Sequence, residues 1–297
     1  MRYKFIHEHE KAYPVTILCK VMEVTRSAYY RYINKSSDNV DTDIRLIVEL
    51  KVLHKKSNQS YGSRRMAKSL SDQGYHVGRF KIRRLMRQNG MTCRQRRRYT
   101  LTTQSNHELL VANNLLNREF NVEQPNSKWV ADITYLWTTE GWLYLAAVLD
   151  LFSRRVVGWA MADNMKSDLV GNAFAMAKIR RQPNAGLLHH SDRGIQYASQ
   201  QYQAILKKSG VIVSMSRKGN CWDNAVMERF FGTLKSECTD GKAYFTRAEA
   251  KADVSNFIEM FYNVQRLHST LNYMSPVAYE KSYENSRNQA SVSLNGE

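Results

Sequence analysis

The sequence predicts an α/β fold: a mixed β-sheet with helices on both faces, preceded by a basic all-α region. Three observations carry that prediction. Apolar, β-branched and aromatic runs follow one another at 128–137, 142–151 and 155–161, parted by turns of hairpin length. Helix-like and strand-like segments then alternate, which calls for parallel pairing on one side of the hairpins. The charge, finally, is divided unevenly. Residues 1–100 hold 23 Lys and Arg against 8 Asp and Glu, whereas residues 101–297 hold 21 against 19. A polycation joined to a nearly neutral body is the signature of a nucleic-acid partner.

The 297 residues, 43% hydrophobic and 24% charged, suffice for two or more domains. No apolar run reaches the roughly 18 residues that would span a bilayer, and the first residues lack a signal-peptide core. A cytoplasmic, nucleoid-associated protein with no membrane partner is expected. Cys19, Cys93, Cys221 and Cys238 stand far apart without a Cys-x-x-Cys pair. Neither a zinc site nor a disulfide is expected, and the thiols read as small core residues.

In chain order, residues 1–36 form a helix-turn-helix-like segment, with short helices over 15–33 broken at Glu23-Val24-Thr25. Thr25 is placed to cap the second helix. Arg26 then lies at its exposed start, where such motifs meet DNA; a helical hairpin that only packs on its neighbour fits the same pattern. The polar stretch 34–43 reads as a linker. Residues 40–100 form a basic helical DNA-binding domain. Its first helix, 43–56, has Ile44, Ile47, Val48 and Val52 as apolar positions, and Tyr61-Gly62-Ser63-Arg64-Arg65 opens the second. A third, 77–89, turns Phe80, Ile82, Leu85 and Met86 inward and leaves Arg79, Lys81, Arg83, Arg84 and Arg87 outward. Arg94, Arg96, Arg97 and Arg98 follow, and no acid occurs from Gln73 to His107. A merely solvated face would mix both signs, so these cations, with Arg64 and Arg65, are expected on a nucleic-acid backbone.

Residues 101–125 are read as a linker with a helix near 106–120. The core, 126–240, comprises the three-stranded meander, a helix at 167–181, a strand at 187–190, a helix at 199–208 and a strand at 211–214. A last core helix starts near Asp223 and buries Met227, Phe230, Phe231 and Leu234 at i, i+3, i+4, i+7 spacing. Residues 241–284 form a C-terminal helical extension, with a helix near 247–263 and a short one from Pro276. The tail 285–297 is expected to be disordered.

Strand alternation puts Asp132 on one face with Val130, Thr134 and Leu136. Asp192 follows the strand at 187–190, at the carboxyl end where α/β folds place ligands. Glu228 edges the apolar stripe of its helix, with Lys235 two turns further on the same side. Acids from a strand centre, a strand end and a helix can converge at one sheet edge. There they would hold Mg²⁺ or Mn²⁺, two ions about 3.5–4 Å apart, for phosphodiester chemistry. Each acid alone also reads as ordinary: a turn cap, an Asp-Arg-Gly turn, a surface helix residue.

Together these motifs resemble the downstream-frame transposases of two-frame bacterial insertion sequences, within the retroviral-integrase-like DDE recombinases. The match rests on Asp132-Ile-Thr-Tyr, Asp192-Arg-Gly-x-Gln-Tyr and Asn220-Cys-Trp-Asp-Asn-Ala-x-x-Glu228-x-Phe, with 35 residues between Asp192 and Glu228. Tyr262-Asn263, Arg266-x-His268 and Pro276 resemble the C-terminal motif; Tyr61-Gly62, Arg64-Arg65 and Arg83-Arg84-Leu85-Met86 resemble the upstream helices. The resemblance implies an RNase H-like, integrase-like core with Asp132, Asp192 and Glu228 as catalytic metal ligands. Strand cleavage by water would precede attack of the freed 3′-OH on another phosphodiester. The implied partners are double-stranded DNA (terminal inverted repeats and target), further copies in a synaptic homo-oligomer, and an upstream-frame product or frameshift fusion. Lys235 matches a basic position against the DNA end; Arg217 and Lys218 precede the acidic helix as backbone contacts. Asn224, Arg266 and His268 are auxiliary candidates, and Trp222 is expected to pack inward rather than to stack on a base. No retroviral His-His-Cys-Cys zinc domain is present, so the basic helices must do its work. A nuclease of the same core that stops at hydrolysis, and a catalytically silent repressor of element ends, are the alternatives.

Overall fold

The computed structural model describes residues 1–36, 38–94 and 109–294. Arg96, Arg97 and Arg98 lie outside them. The chain forms two compact units, Met1–Cys93 and Arg94–Glu297.

The first unit is all helical: α1 (Arg2–His9), α2 (Val15–Val21), α3 (Arg26–Ser36), α4 (Asp38–Lys56), α5 (Ser63–Asp72) and α6 (Arg79–Gln88). Ile6, Leu18, Cys19 and Tyr29 close a small core under the first three. Thr25 caps α3 as its sequence position suggests, its Oγ1 accepting from the Ala28 N–H at 3.2 Å. The expected linker at 34–43 is not a loop, since helix runs up to Ser36 and resumes at Asp38. The apolar stripe of α4 also differs. Leu46, Leu50 and Leu53 are buried, while Ile44, Val48 and Val52 are each 54% exposed. Both sets recur with helical spacing, and the bulkier leucines occupy the core. On α6, Ile82, Leu85 and Met86 are buried as expected, but Phe80 faces outward beneath the Arg79 guanidinium, 4.7 Å from its ring centroid.

The second unit is built on β1 (Lys128–Thr138), β2 (Gly141–Asp150), β3 (Val156–Ala162), β4 (Leu188–Ser191) and β5 (Ile212–Met215). The order is β3-β2-β1-β4-β5, antiparallel across β3-β2-β1 and parallel across β1-β4-β5. The mixed sheet is the one that the hairpin spacing and the later alternation predict. α7 (Ser167–Arg181), the single turn α8 (Ile195–Ala198) and α9 (Gln200–Lys208) follow between strands. Trp129, Ala131, Ala146 and Val148 pack with Val170, Phe174 and Ala177 of α7. Gly158 permits that approach, because a Cβ there would stand 2.2 Å from the Ala173 carbonyl oxygen.

Beyond β5, a 3₁₀ turn (Cys221–Asn224) leads into α10 (Ala225–Leu234), which ends in a π-helical turn over Lys235–Thr239. α11 (Arg247–Asn256) ends in another π turn, and α12 spans Pro276–Leu294. The last helix is thus far longer than its sequence suggests and includes most of the stretch expected to be disordered. Its anchor is Glu280, which accepts hydrogen bonds from Arg155, Arg181 and Ser153 between 2.7 and 2.9 Å. Asn263 satisfies both backbone groups of Val156, at 3.0 Å each, on the open edge of β3.

The described part of the expected linker, 109–125, holds no helix. Leu109 and Val111 pack on the core and Leu116 is fully buried. Ser214 Oγ accepts the N–H groups of Leu115 and Leu116 at 2.9 and 3.1 Å.

Candidate active site

Asp132 lies in mid-β1, where it is partly buried and its Oδ1 accepts the Ile133 N–H at 2.8 Å. Asp192 opens the loop after β4, and the Gly194 N–H orients its Oδ1 at 2.9 Å. That glycine leaves space for the carboxylate: a Cβ would approach the same oxygen to 3.0 Å. Glu228 is in the first turn of α10, exposed, while Met227, Phe230, Phe231 and Leu234 anchor the opposite face.

The three acids act on one another. Burial pushes the Asp132 carboxyl well above the usual carboxylate range, and the negative charge of Asp192 pushes it further. The Ile133 N–H opposes this, Glu228 adds to the rise, and Lys235 works against it. Lys235 therefore belongs to the same group, its Nζ 5.2 Å from the centroid of the Tyr135 ring. Burial lowers its pKa, against the charges of Asp240 and Asp132. Among the described residues, no group of three or more His, Cys, Asp or Glu is already arranged to hold a metal ion. The acids share an electric field without a closed coordination shell.

Two buried polar atoms beside them have no hydrogen-bond partner. Asn224 donates from Nδ2 to the Ala131 carbonyl at 3.1 Å, which leaves its Oδ1 unmatched next to Asp132. The Tyr197 hydroxyl is buried, also lacks a partner, and is raised well above its ordinary pKa by burial and then by Asp132. Tyr197 escaped the sequence reading, although it closes the Asp192-Arg-Gly-x-Gln-Tyr motif. Behind the acids, His190 bridges Ser214 (2.8 Å) and Ser216 (3.1 Å), tying the ends of β4 and β5.

A fourth acid was not singled out by its sequence. Asp223, five residues before Glu228, is fully buried. It accepts from Asn114 Nδ2 (2.9 Å), Arg118 Nε (2.9 Å) and three groups of Arg217: N (2.9 Å), Nε (3.0 Å) and Nη2 (2.8 Å). These bonds, Arg217's foremost, hold its carboxyl far below the usual range. Arg118 also reaches Asn220 at 2.9 Å. The only local signal was an acid beside Arg217 and Lys218, because Arg118 is 105 residues away in sequence.

The other candidates separate cleanly. Arg266 is buried in a bidentate pair with Glu237, at 2.6 and 2.8 Å, and His268 stacks edge-on against Tyr262. They brace the π turn that follows α10. Trp222, expected to pack inward, is instead 69% exposed. Arg217 and Lys218 are exposed in the loop before it. In the first unit, Arg26, Arg64, Arg79, Arg83, Arg84 and Arg87 face outward, as does Arg94 just beyond it. Arg65 leans on the Tyr61 ring, and Lys81 pairs with Asp43.

Comparison with known families places Integrase core domain matches at residues 122–221 and 209–276, and an HTH-like domain match at 42–99. The helix pair α2–α3 lies outside all three. An insertion element IS600 uncharacterized 31 kDa protein of Shigella sonnei is 45% identical over 90% of this chain and 98% of its own length. The transposase InsF for insertion sequence IS3A of Escherichia coli K12 is 38% identical over 94% and 98%. Among solved structures, a simian T-cell lymphotropic virus intasome chain aligns with TM-score 0.44 at 16% identity, covering 78% of this chain and 74% of that one. The HTLV-2 integrase catalytic core in complex with magnesium aligns with TM-score 0.41 at 17% identity, covering 52% and 97%.

Proposed function

The chain belongs to the insertion-sequence transposases that carry an integrase core domain, and from that premise we propose how its residues divide the work. Asp132, Asp192 and Glu228 hold the divalent cations, Mg²⁺ or Mn²⁺, two per site, and are the catalytic residues of DNA strand cleavage and 3′-OH strand transfer. The observation that carries this reading is that Asp132 in mid-β1, Asp192 just after β4 and Glu228 in the first turn of α10 come near enough together for the two other acids to add to the upward push that burial exerts on Asp132. Such mutual repulsion favours cation binding, and an all-oxygen donor set suits a hard divalent ion. Asn224, tied through Nδ2 to the carbonyl of Ala131, the residue before Asp132, has an unmatched Oδ1 that supports the reading as a spare neutral acceptor. When bound, the cations activate the attacking oxygen and stabilise the leaving one.

The protein's own groups bind and orient. Lys235, held between Asp132 and the Tyr135 ring, neutralises a phosphate of the DNA end. Arg217 and Lys218 contact backbone ahead of α10. The outward arginines of α5 and α6, with Arg26, Arg94, Arg96, Arg97 and Arg98, grip the terminal inverted repeats and target DNA. A homo-oligomer pairs the two ends, with or without an upstream-frame product or fusion.

Glu228→Gln tests the assignment. Cleavage and joining of element-end duplexes should disappear, while binding measured by mobility shift in Ca²⁺ persists. Unchanged cleavage would remove Glu228 from the chemistry; hydrolysis without joined products by the wild type would limit the enzyme to a nuclease.

A further inference from the structure

We infer that Trp222 is a stacking platform for an unpaired nucleobase of the DNA that the acidic site works on. The inference rests on the strand-transfer reading above. A single exposed apolar side chain is unremarkable by itself, but three features set this one apart. Trp222 lies within a 3₁₀ turn one turn ahead of the helix that carries Glu228. Its neighbour Asp223 fixes that turn with five hydrogen bonds, two of its partners being guanidinium groups. The turn that carries the indole is therefore tied in place through Asp223, and the indole itself stands in water. The ring is the one large apolar group between Ser216 and Asp223, and it is 69% exposed.

Its surroundings select the ligand. The side chains of Arg118 and Arg217 remain 45% and 48% exposed while holding Asp223, and Lys218 is exposed beside them. The only acid between Ser216 and Met227 is Asp223, whose oxygens are turned to those cations. A flat, fixed aromatic face inside a positive, acid-poor rim matches a nucleobase attached to its phosphate, and does not match an apolar peptide or an acyl chain. Stacking on an aromatic face is tolerant of sequence because every base has a π face. A base within a duplex is already stacked on both sides, so the base taken is one freed by fraying at the strand end.

The test uses the full chain and a DNA duplex with a short unpaired 3′ end carrying 2-aminopurine, in Ca²⁺ so that no strand is cut. The wild type should quench the 2-aminopurine emission. Trp222→Ala should lose the quenching and bind the frayed end about thirtyfold more weakly, the middle of the range for loss of one base–aromatic stack. Its affinity for the fully paired duplex should stay near the wild-type value. Trp222→Phe should restore most of the quenching, which a folding defect would not allow. Equal quenching by wild type and Trp222→Ala, or an equal loss of affinity for frayed and paired DNA, overturns the proposal. Glu228→Gln, run alongside, should quench normally while failing to cleave in Mg²⁺. Should the wild type itself fail to cleave, the strand-transfer reading fails, whereas the quenching result still decides on the platform.

Discussion

The acidic rim around Asp132 and the clamp around Asp223 use the same kinds of residue and drive them to opposite states. At the clamp, one carboxylate meets two guanidinium groups and an amide, and its pKa is pulled far down. At the rim, burial pushes one carboxyl's pKa up and the charges of two further carboxylates add to the push. Fixed cations complete the first as structure. Mutual repulsion leaves the second in need of a proton or an added cation, and this is the state expected of a site that recruits its charge from outside.

The largest expected effect separates the two regions directly. Asp132→Asn should reduce metal-supported strand cleavage by about a thousandfold or more, since several kcal/mol of transition-state stabilisation depend on the cations. Without metal its thermal midpoint should hold or rise, because a repelling charge has gone. Asp223→Asn should instead lower stability by about 2 kcal/mol, less than a fully buried pair because both guanidinium groups stay half in water. Calorimetry on metal-free protein reads both, and an equal loss in the two variants would erase the distinction.

The scaffold behind α10 sharpens it further. Arg266 and Glu237 are both buried, so Glu237→Gln should lower unfolding free energy by about 3–5 kcal/mol in urea titrations. Acid probes the sheet instead, at His189 of β4, against Phe174 and Tyr202. Burial, and then the neighbouring His190, lowers its pKa to about 3 from an ordinary 6.5. Because the folded pKa is the lower one, the unfolded chain binds more protons in acid. This contribution is complete above about pH 6.5 and is lost progressively toward pH 3, by about 1.4 kcal/mol per unit. His189→Phe should remove one proton's worth of that slope in stability measured against pH.

The smallest effect lies in the first unit. Asp43 already meets Lys81 at 2.5 Å and Arg84 at 3.6 Å. Arg83→Ala should therefore reduce the log–log salt slope of DNA binding by about 0.9, the value for one phosphate contact, and Lys81→Ala by less. Equal changes would mean that Asp43 does not compete with DNA.

The strands were legible because their signals are local. Apolar, β-branched and aromatic runs located the five strands of the described residues to within two residues, and the apolar stripe of α10 fixed the side on which Glu228 stands. What stayed hidden depends on distant partners. Nothing near Asp223 announces Arg118, and nothing near Arg266 announces Glu237, 29 residues upstream. Residues 109–127 look like a linker because their burial comes from Ser214 and the sheet, not from any period of their own. On α4 two stripes competed at helical spacing, and only tertiary packing could choose the leucines. Trp222 misled for the opposite reason: its apolar character favoured burial, while the turn tied by Asp223 carries it exposed.

Asn263 has a consequence for how copies of this chain can meet. β3 is an outer strand, and an outer strand offers backbone groups on which another chain can template. By engaging both the N–H and the carbonyl of Val156, one amide side chain stands in for the first rung of a missing strand. A neighbouring copy would find that rung taken, so edge-to-edge pairing of a second sheet is blocked where β3 begins.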